Sequence, residues 1–76
     1  MKTNKEMVVD VLRDFGAMTS SQIAVQVNLR HKVVLTPSQV AGALRPLIMN
    51  GHAANSKDER NKMRYWITDF GKEELK

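Results

Sequence analysis

Cysteine is absent from this 76-residue chain, which excludes disulfide staples, thiolate nucleophiles and cysteine-ligated zinc. The two histidines, His31 and His52, have no second histidine or carboxylate at metal-ligand spacing, so no metal site is expected. Gly-rich phosphate loops, a nucleophile elbow and a clustered carboxylate pair beside a histidine are all missing, and neither catalysis nor a cofactor is expected. Apolar runs are only a few residues long, too short to span a membrane. Met1-Lys2-Thr3-Asn4-Lys5-Glu6 has no apolar stretch after its charges and does not read as a secretory signal. A cytoplasmic location fits these absences. Aromatics are scarce: Phe15, Tyr65, Trp66 and Phe70 are mostly needed for a core, leaving no stacking platform for single strands or RNA.

The most informative absence is one of charge sign. Between Asp14 and Asp58 there is no acidic residue, while Arg30, Lys32, Arg45 and Lys57 fall inside that window. With a net charge of +4 and a pI near 9.8, an anionic partner is favoured, and a polyphosphate backbone selects for this kind of one-sided depletion. The length fits one domain, residues 1–76. A chain this short hides only ~60% of its unfolded surface, so there is no room for a deep substrate cleft.

The chain is patterned from end to end. Thr3 and Glu6 have capping-box spacing, and Met7, Val8, Val11, Leu12 and Phe15 recur on one helical face. A first helix is expected over 4–15, with Gly16 as its left-handed stop. Ala17-Met18-Thr19 suits a brief strand. Thr19 and Gln22 form a second capping box, opening a helix with Ile23, Ala24 and Val27 inward; Asn28 to Leu35 reads as a long connection. Thr36 then caps a third helix over 37–50 with Pro37 at its first position, a buried stripe of Val40, Leu44, Leu47 and Ile48, and Asn50-Gly51 as its end. After Gly51 the period changes: His52 to Lys57 reads as a weak strand, Asp58 to Asn61 as a polar turn, and Met63 to Thr68 as a better strand. A short helical tail from Phe70 to Lys76 closes the chain.

That order, with Thr36-Pro37-Ser38-Gln39-Val40 followed by Leu44, Leu47 and Gly51, resembles the recognition-helix pattern of MarR-type regulators. Tyr65-Trp66-Ile67-Thr68-Asp69-Phe70-Gly71-Lys72 is similar to the string that follows the wing in that family. The resemblance covers nearly the whole chain and implies an α+β winged helix-turn-helix: three helices, a small antiparallel sheet with a β-hairpin wing, and a short C-terminal helix. Three departures stand out. The connection before helix three exceeds the about 3–4 residues usual in a helix-turn-helix. The chain ends where larger MarR-type regulators continue into dimerisation helices. Gly42 occupies a position where a polar or basic base-reading residue is common.

The resemblance implies sequence-specific binding of double-stranded DNA, in a small transcriptional regulator of a bacterium, phage or mobile element. Helix three would enter the major groove by its N-terminal half, presenting Ser38, Gln39, Gly42, Ala43 and Arg45. Gln39 suits adenine, Arg45 suits guanine or a phosphate, and Ser38 suits either kind of group. Pro46 opposes the carbonyl of Gly42, which fits a relaxed final turn, although Gly42 also suits close approach to DNA. The wing, 55–64, offers Lys57, Arg60, Lys62 and Arg64 to phosphates or the minor groove, although Asp58 and Glu59 in the same turn fit internal ion pairing equally. Arg30, His31 and Lys32 form a flanking cluster in the long connection, suited to phosphates or to a plain exposed loop. Trp66 alternates with Tyr65 and Ile67, so it either packs under the tail or marks a partner surface. A lone domain reads few base pairs, so a homodimer on DNA or tandem sites are expected. The alternative is a winged-helix adaptor or inhibitor that binds an acidic surface of a host enzyme.

Overall fold

The computed structural model describes residues 2–75. Three helices lead the chain, α1 (Asn4–Asp14), α2 (Ser20–His31) and α3 (Pro37–Met49). The antiparallel hairpin of β1 (Ala53–Lys57) and β2 (Met63–Ile67) follows, and α4 (Asp69–Glu74) ends the fold. All three leading helices start the same way. Thr3, Thr19 and Thr36 each accept a hydrogen bond from the N–H three residues on, and the side chains of Glu6, Gln22 and Gln39 each accept one from the N–H of the cap residue. These boxes satisfy donors that every helix start leaves orphaned.

One core unites the elements. Val8, Val11 and Leu12 of α1 meet Ile23 and Val27 of α2 and Val40, Leu44 and Leu47 of α3, with Ala53 and Ile67 of the hairpin closing one end. Each such aliphatic side chain gains roughly 1.5–3 kcal/mol on full burial, so the helical periodicity fixes the packing. Met18 bridges Tyr65 through two backbone hydrogen bonds of 3.0 and 2.8 Å, joining the α1–α2 connection to the free edge of β2. The short strand expected at 17–19 is thus a single bridge.

Several expectations are corrected. α1 ends at Asp14 with Phe15 extended as its cap, and Gly16 does not adopt a left-handed conformation. Phe15 is 38% exposed because it lies beyond the last helical turn, where the Arg30 guanidinium covers its ring. α2 runs on to His31, since Lys32 takes the left-handed cap position (φ 54°). The connection is therefore only Lys32 to Thr36. The Asn28 side-chain amide holds it by accepting from the N–H of Leu35 at 2.8 Å and donating to its carbonyl at 3.1 Å. α3 stops at Met49, one residue short of expectation, with Asn50 as C-cap and Gly51 left-handed (φ 76°).

The tail is positioned by two close approaches. A Cβ on Gly71 would lie 2.1 Å from the His52 carbonyl oxygen, so only glycine allows α4 to sit against the end of α3. On the other side Arg13 donates to the carbonyls of Lys72 and Leu75, binding α1 to the C-terminal end of α4. Phe70 stacks on His52, with ring centroids 5.3 Å apart.

Candidate nucleic-acid interface

The outer surface of α3 is set by the depth of its buried stripe. Val40, Leu44 and Leu47 point into the core, which leaves Ser38, Gln39, Gly42, Arg45, Pro46 and Met49 exposed. Two residues depart from the sequence reading. Ala43 is half-buried and packs against the core, because it lies one helical step from Val40 and Leu44. Ile48, expected in the stripe, is only half-buried because it faces the hairpin. Pro46 lies inside an unbroken helix. An added Cβ at Gly42 would meet nothing within 4 Å, so no neighbouring side chain requires glycine there.

Gln39 carries a double demand. Its Oε1 accepts from the N–H of Thr36 at 2.9 Å while its own N–H donates to Thr36 Oγ1 at 3.2 Å. A bidentate adenine contact needs both ends of the amide, so reading a base in that way would open the capping box. The signal was present in the sequence, since Thr36 and Gln39 share the spacing of Thr3–Glu6 and Thr19–Gln22.

The hairpin turn is built around Asp58. Its Oδ1 accepts from the N–H groups of Arg60 and Lys62, both at 2.9 Å, and its Oδ2 accepts from Arg64 Nε at 2.9 Å. Asn61 completes the turn in the left-handed region (φ 63°). The Lys62 N–H, followed by the Arg64 side chain, holds the Asp58 carboxyl below its ordinary value of 3.8. Arg64 also reaches Gln22 Oε1 at 3.5 Å, linking the hairpin to the start of α2. By contrast, Lys57, Arg60 and Lys62 are exposed, and none of them is in an ion pair among the described residues.

The flanking cluster is placed differently from its expected loop. Arg30 and His31 belong to the last turn of α2 and face α1. Arg30 pairs with Asp14 at 2.7 Å and Asp10 at 3.6 Å, and His31 Nε2 lies 2.9 Å from Asp10 Oδ2. Only Lys32 of the three has no such partner among the described residues. Trp66 is half-buried opposite Ala54, on the sheet face away from Tyr65 and Ile67. Among the described residues no cluster of side chains suits a metal ion, and no helix is long and apolar enough to cross a membrane.

Between α3 and the hairpin lies an open cleft of about 300 Å³ lined by Ala41, Arg45, Ile48, Met49, Asn55 and Tyr65. Asn55 and Tyr65 are register partners on the core-facing side of the sheet. The sequence marks neither as a site residue, because nothing in a weak strand pattern tells which residue will lie beside a helix distant in sequence.

Three helices followed by a capped hairpin and a short helix are shared with solved regulators. A MarR-family transcriptional regulator from Silicibacter pomeroyi superposes with a TM-score of 0.81 over 96% of this chain and 46% of its own, at 16% identity. A transcriptional regulator from Clostridium thermocellum gives 0.79 over 93% and 71%, at 18% identity. RosR of H. salinarum gives 0.80 over 99% and 67%, at 17% identity. The fold is a winged helix. No protein-family model and no curated protein matches the sequence, so the likeness is one of fold. The chain spans about half the length of the Silicibacter regulator.

Proposed function

We propose that this winged helix binds double-stranded DNA in a sequence-specific manner and acts as a small, non-enzymatic transcriptional regulator of a bacterium, phage or mobile element. The observation that carries this reading is the uncompensated positive surface shared by α3 and the hairpin. Arg45, Lys57, Arg60 and Lys62 are exposed, and none has an acidic partner among the described residues. The regulators that share the backbone support it. In this reading the N-terminal half of α3 enters the major groove, with Ser38 and the free amide end of Gln39 toward base edges. Gly42 lets the helix lie close to the groove floor, and the wing places Lys57, Arg60 and Lys62 on flanking phosphates. Arg64 acts mainly by fixing the wing, and Lys32 is the remaining flank contact. A second copy or a tandem site supplies the specificity that one domain lacks. The setting is cytoplasmic.

Salt titration on duplex DNA, followed by selection of a preferred site, tests the reading. Neutralising about 4–6 phosphates gives a slope of log K against log salt of roughly −4 to −5. On the selected site Gln39→Ala costs about 1 kcal/mol, and much less on random DNA, if the free end of its amide reads a base. Affinity for duplex that hardly responds to salt would favour the rival reading, a protein-binding adaptor acting on an acidic surface.

A further inference from the structure

The cleft between α3 and the hairpin is lined by a cation, Arg45, and an amide, Asn55, that no core contact explains, beside the ring of Tyr65, which packs against the core. Resting on the DNA-binding reading, the geometry points to this cleft as a clamp for one backbone phosphodiester, with Arg45 and Asn55 as its donors. Arg45 is then a phosphate contact and not a base reader.

The first argument is distance along the helix. Arg45 lies seven residues beyond Ser38, which is ~10 Å along the axis at 1.5 Å per residue. The major groove is only ~8.5 Å deep. A helix that enters steeply by its N-terminal end therefore carries Arg45 toward the groove rim, near the sugar–phosphate strand. The second argument is the company Arg45 keeps. It has no ion pair among the described residues, and across the cleft stands exposed Asn55, whose amide N–H₂ is a neutral donor. A cation and a neutral donor on opposite walls suit a singly charged phosphodiester. The third argument is the apolar lining. Met49 is 79% exposed yet borders the cleft beside Ile48 and Ala41. That arrangement suits the C–H edges of deoxyribose, which accompany every phosphate on a strand. It also gives the exposed methionine a partner that the fold does not provide.

The test uses the full chain and two duplexes of equal length, one carrying a selected site and one of random sequence, each across a salt series. Arg45→Ala is expected to weaken binding to both by the same factor, about tenfold, and to make the salt slope shallower by about 0.9. Arg45→Lys retains most of the affinity, because a phosphate accepts a point charge whereas guanine's paired acceptors favour the guanidinium fork. Asn55→Ala weakens both duplexes equally and leaves the slope unchanged, and its melting temperature stays that of the parent because the side chain is exposed. A loss confined to the selected duplex, not restored by lysine, would make Arg45 a base reader and overturn the clamp while leaving DNA binding intact. Unchanged affinity in Asn55→Ala would overturn it as well. If the parent chain fails to bind duplex at all, the clamp falls together with the DNA-binding reading.

Discussion

Two basic clusters in this chain look alike as sequence and have opposite surroundings in the fold. Arg30 and His31 end α2 facing Asp10 and Asp14 of α1, so the Arg30 guanidinium is engaged in ion pairs between the two helices and the His31 ring in a contact with Asp10. Lys57, Arg60 and Lys62 ring a hairpin turn whose one well-placed acid, Asp58, is occupied by backbone N–H groups and by Arg64. The difference teaches that counting acids along the chain overestimates a basic face. The acid-free window from Asp14 to Asp58 begins at a residue that reaches forward into it and pairs with Arg30. What matters for an anionic partner is the charge left over after the fold has made its own pairs.

Removing the free cluster gives the largest effect. Replacing Lys57, Arg60 and Lys62 together with alanine is expected to weaken duplex binding about 100-fold or more at low salt. Thermal stability should stay close to the parent value, since exposed substitutions typically change it by only about 0.5 kcal/mol each. Competition anisotropy alongside a melting curve reads both quantities. Arg30→Ala should do the reverse on a smaller scale.

Pro46→Ala comes next in size and tests the free face from within. An interior proline normally costs ~3 kcal/mol, and α3 runs unbroken through this one. The substitution is expected to raise the melting temperature while weakening specific binding, because restoring the last-turn hydrogen bond shifts Arg45 relative to Ser38 and Gln39. A lower melting temperature would show that Pro46 stabilises the helix end by some other route.

Arg30→Ala sharpens the contrast from the other side. Its ion pairs lie at the margin of solvent, with Asp14 58% exposed in its side chain, so the expected loss is about 0.5–1 kcal/mol in a denaturant titration. Duplex affinity should change by no more than about twofold, the screened effect of removing one remote charge. A large loss of binding would return Arg30 to the interface.

Acid gives the smallest effect. The Thr3 backbone and hydroxyl hold Glu6 below its ordinary 4.5, and the Lys62 N–H holds Asp58 below 3.8. Carboxyls with lowered folded-state values add stability that is present above the unfolded values and lost as pH falls through the folded ones. Below about pH 4 the first turn of α1 and the wing turn should loosen together, before the aliphatic core does. Amide hydrogen exchange at residues 58–62 follows the wing directly, and Asp58→Asn should show fast exchange there even at neutral pH.

The fold was largely legible because its signals are local. Threonine caps three residues ahead of Glu or Gln, aliphatic stripes at helical spacing and a β-branched, aromatic strand each specify an element without help from distant residues. The misreadings arose where the deciding partner is remote. Nothing near Asn28 announces that its amide will clasp Leu35 and let α2 continue. Phe15 has the right spacing for the core and leaves it only because the helix stops one residue earlier. Arg30 and His31 needed α1 beside them before their role could be assigned. For the candidate site, the α3 and wing positions were legible as places on elements. Gln39's duty as a cap follows from its local spacing after Thr36, whereas the placing of Asn55 opposite Arg45 across a cleft depends on three-dimensional neighbours.

The close approach of Gly71 to the His52 carbonyl has a consequence for how this sequence tolerates change. Of the glycines at 16, 42 and 71, only the last would bring an added Cβ against backbone. In a saturation library selected for folding alone, position 71 would stay glycine while positions 16 and 42 drifted toward other residues. Alanine at 42 would even be favoured, by about 0.5–1 kcal/mol of helix propensity. Adding selection for DNA binding to the same library would then separate the two kinds of constraint. Glycine retained at 71 under both regimes is a requirement of packing. Glycine recovered at 42 only under the second would mark the place where another molecule comes too near for a side chain.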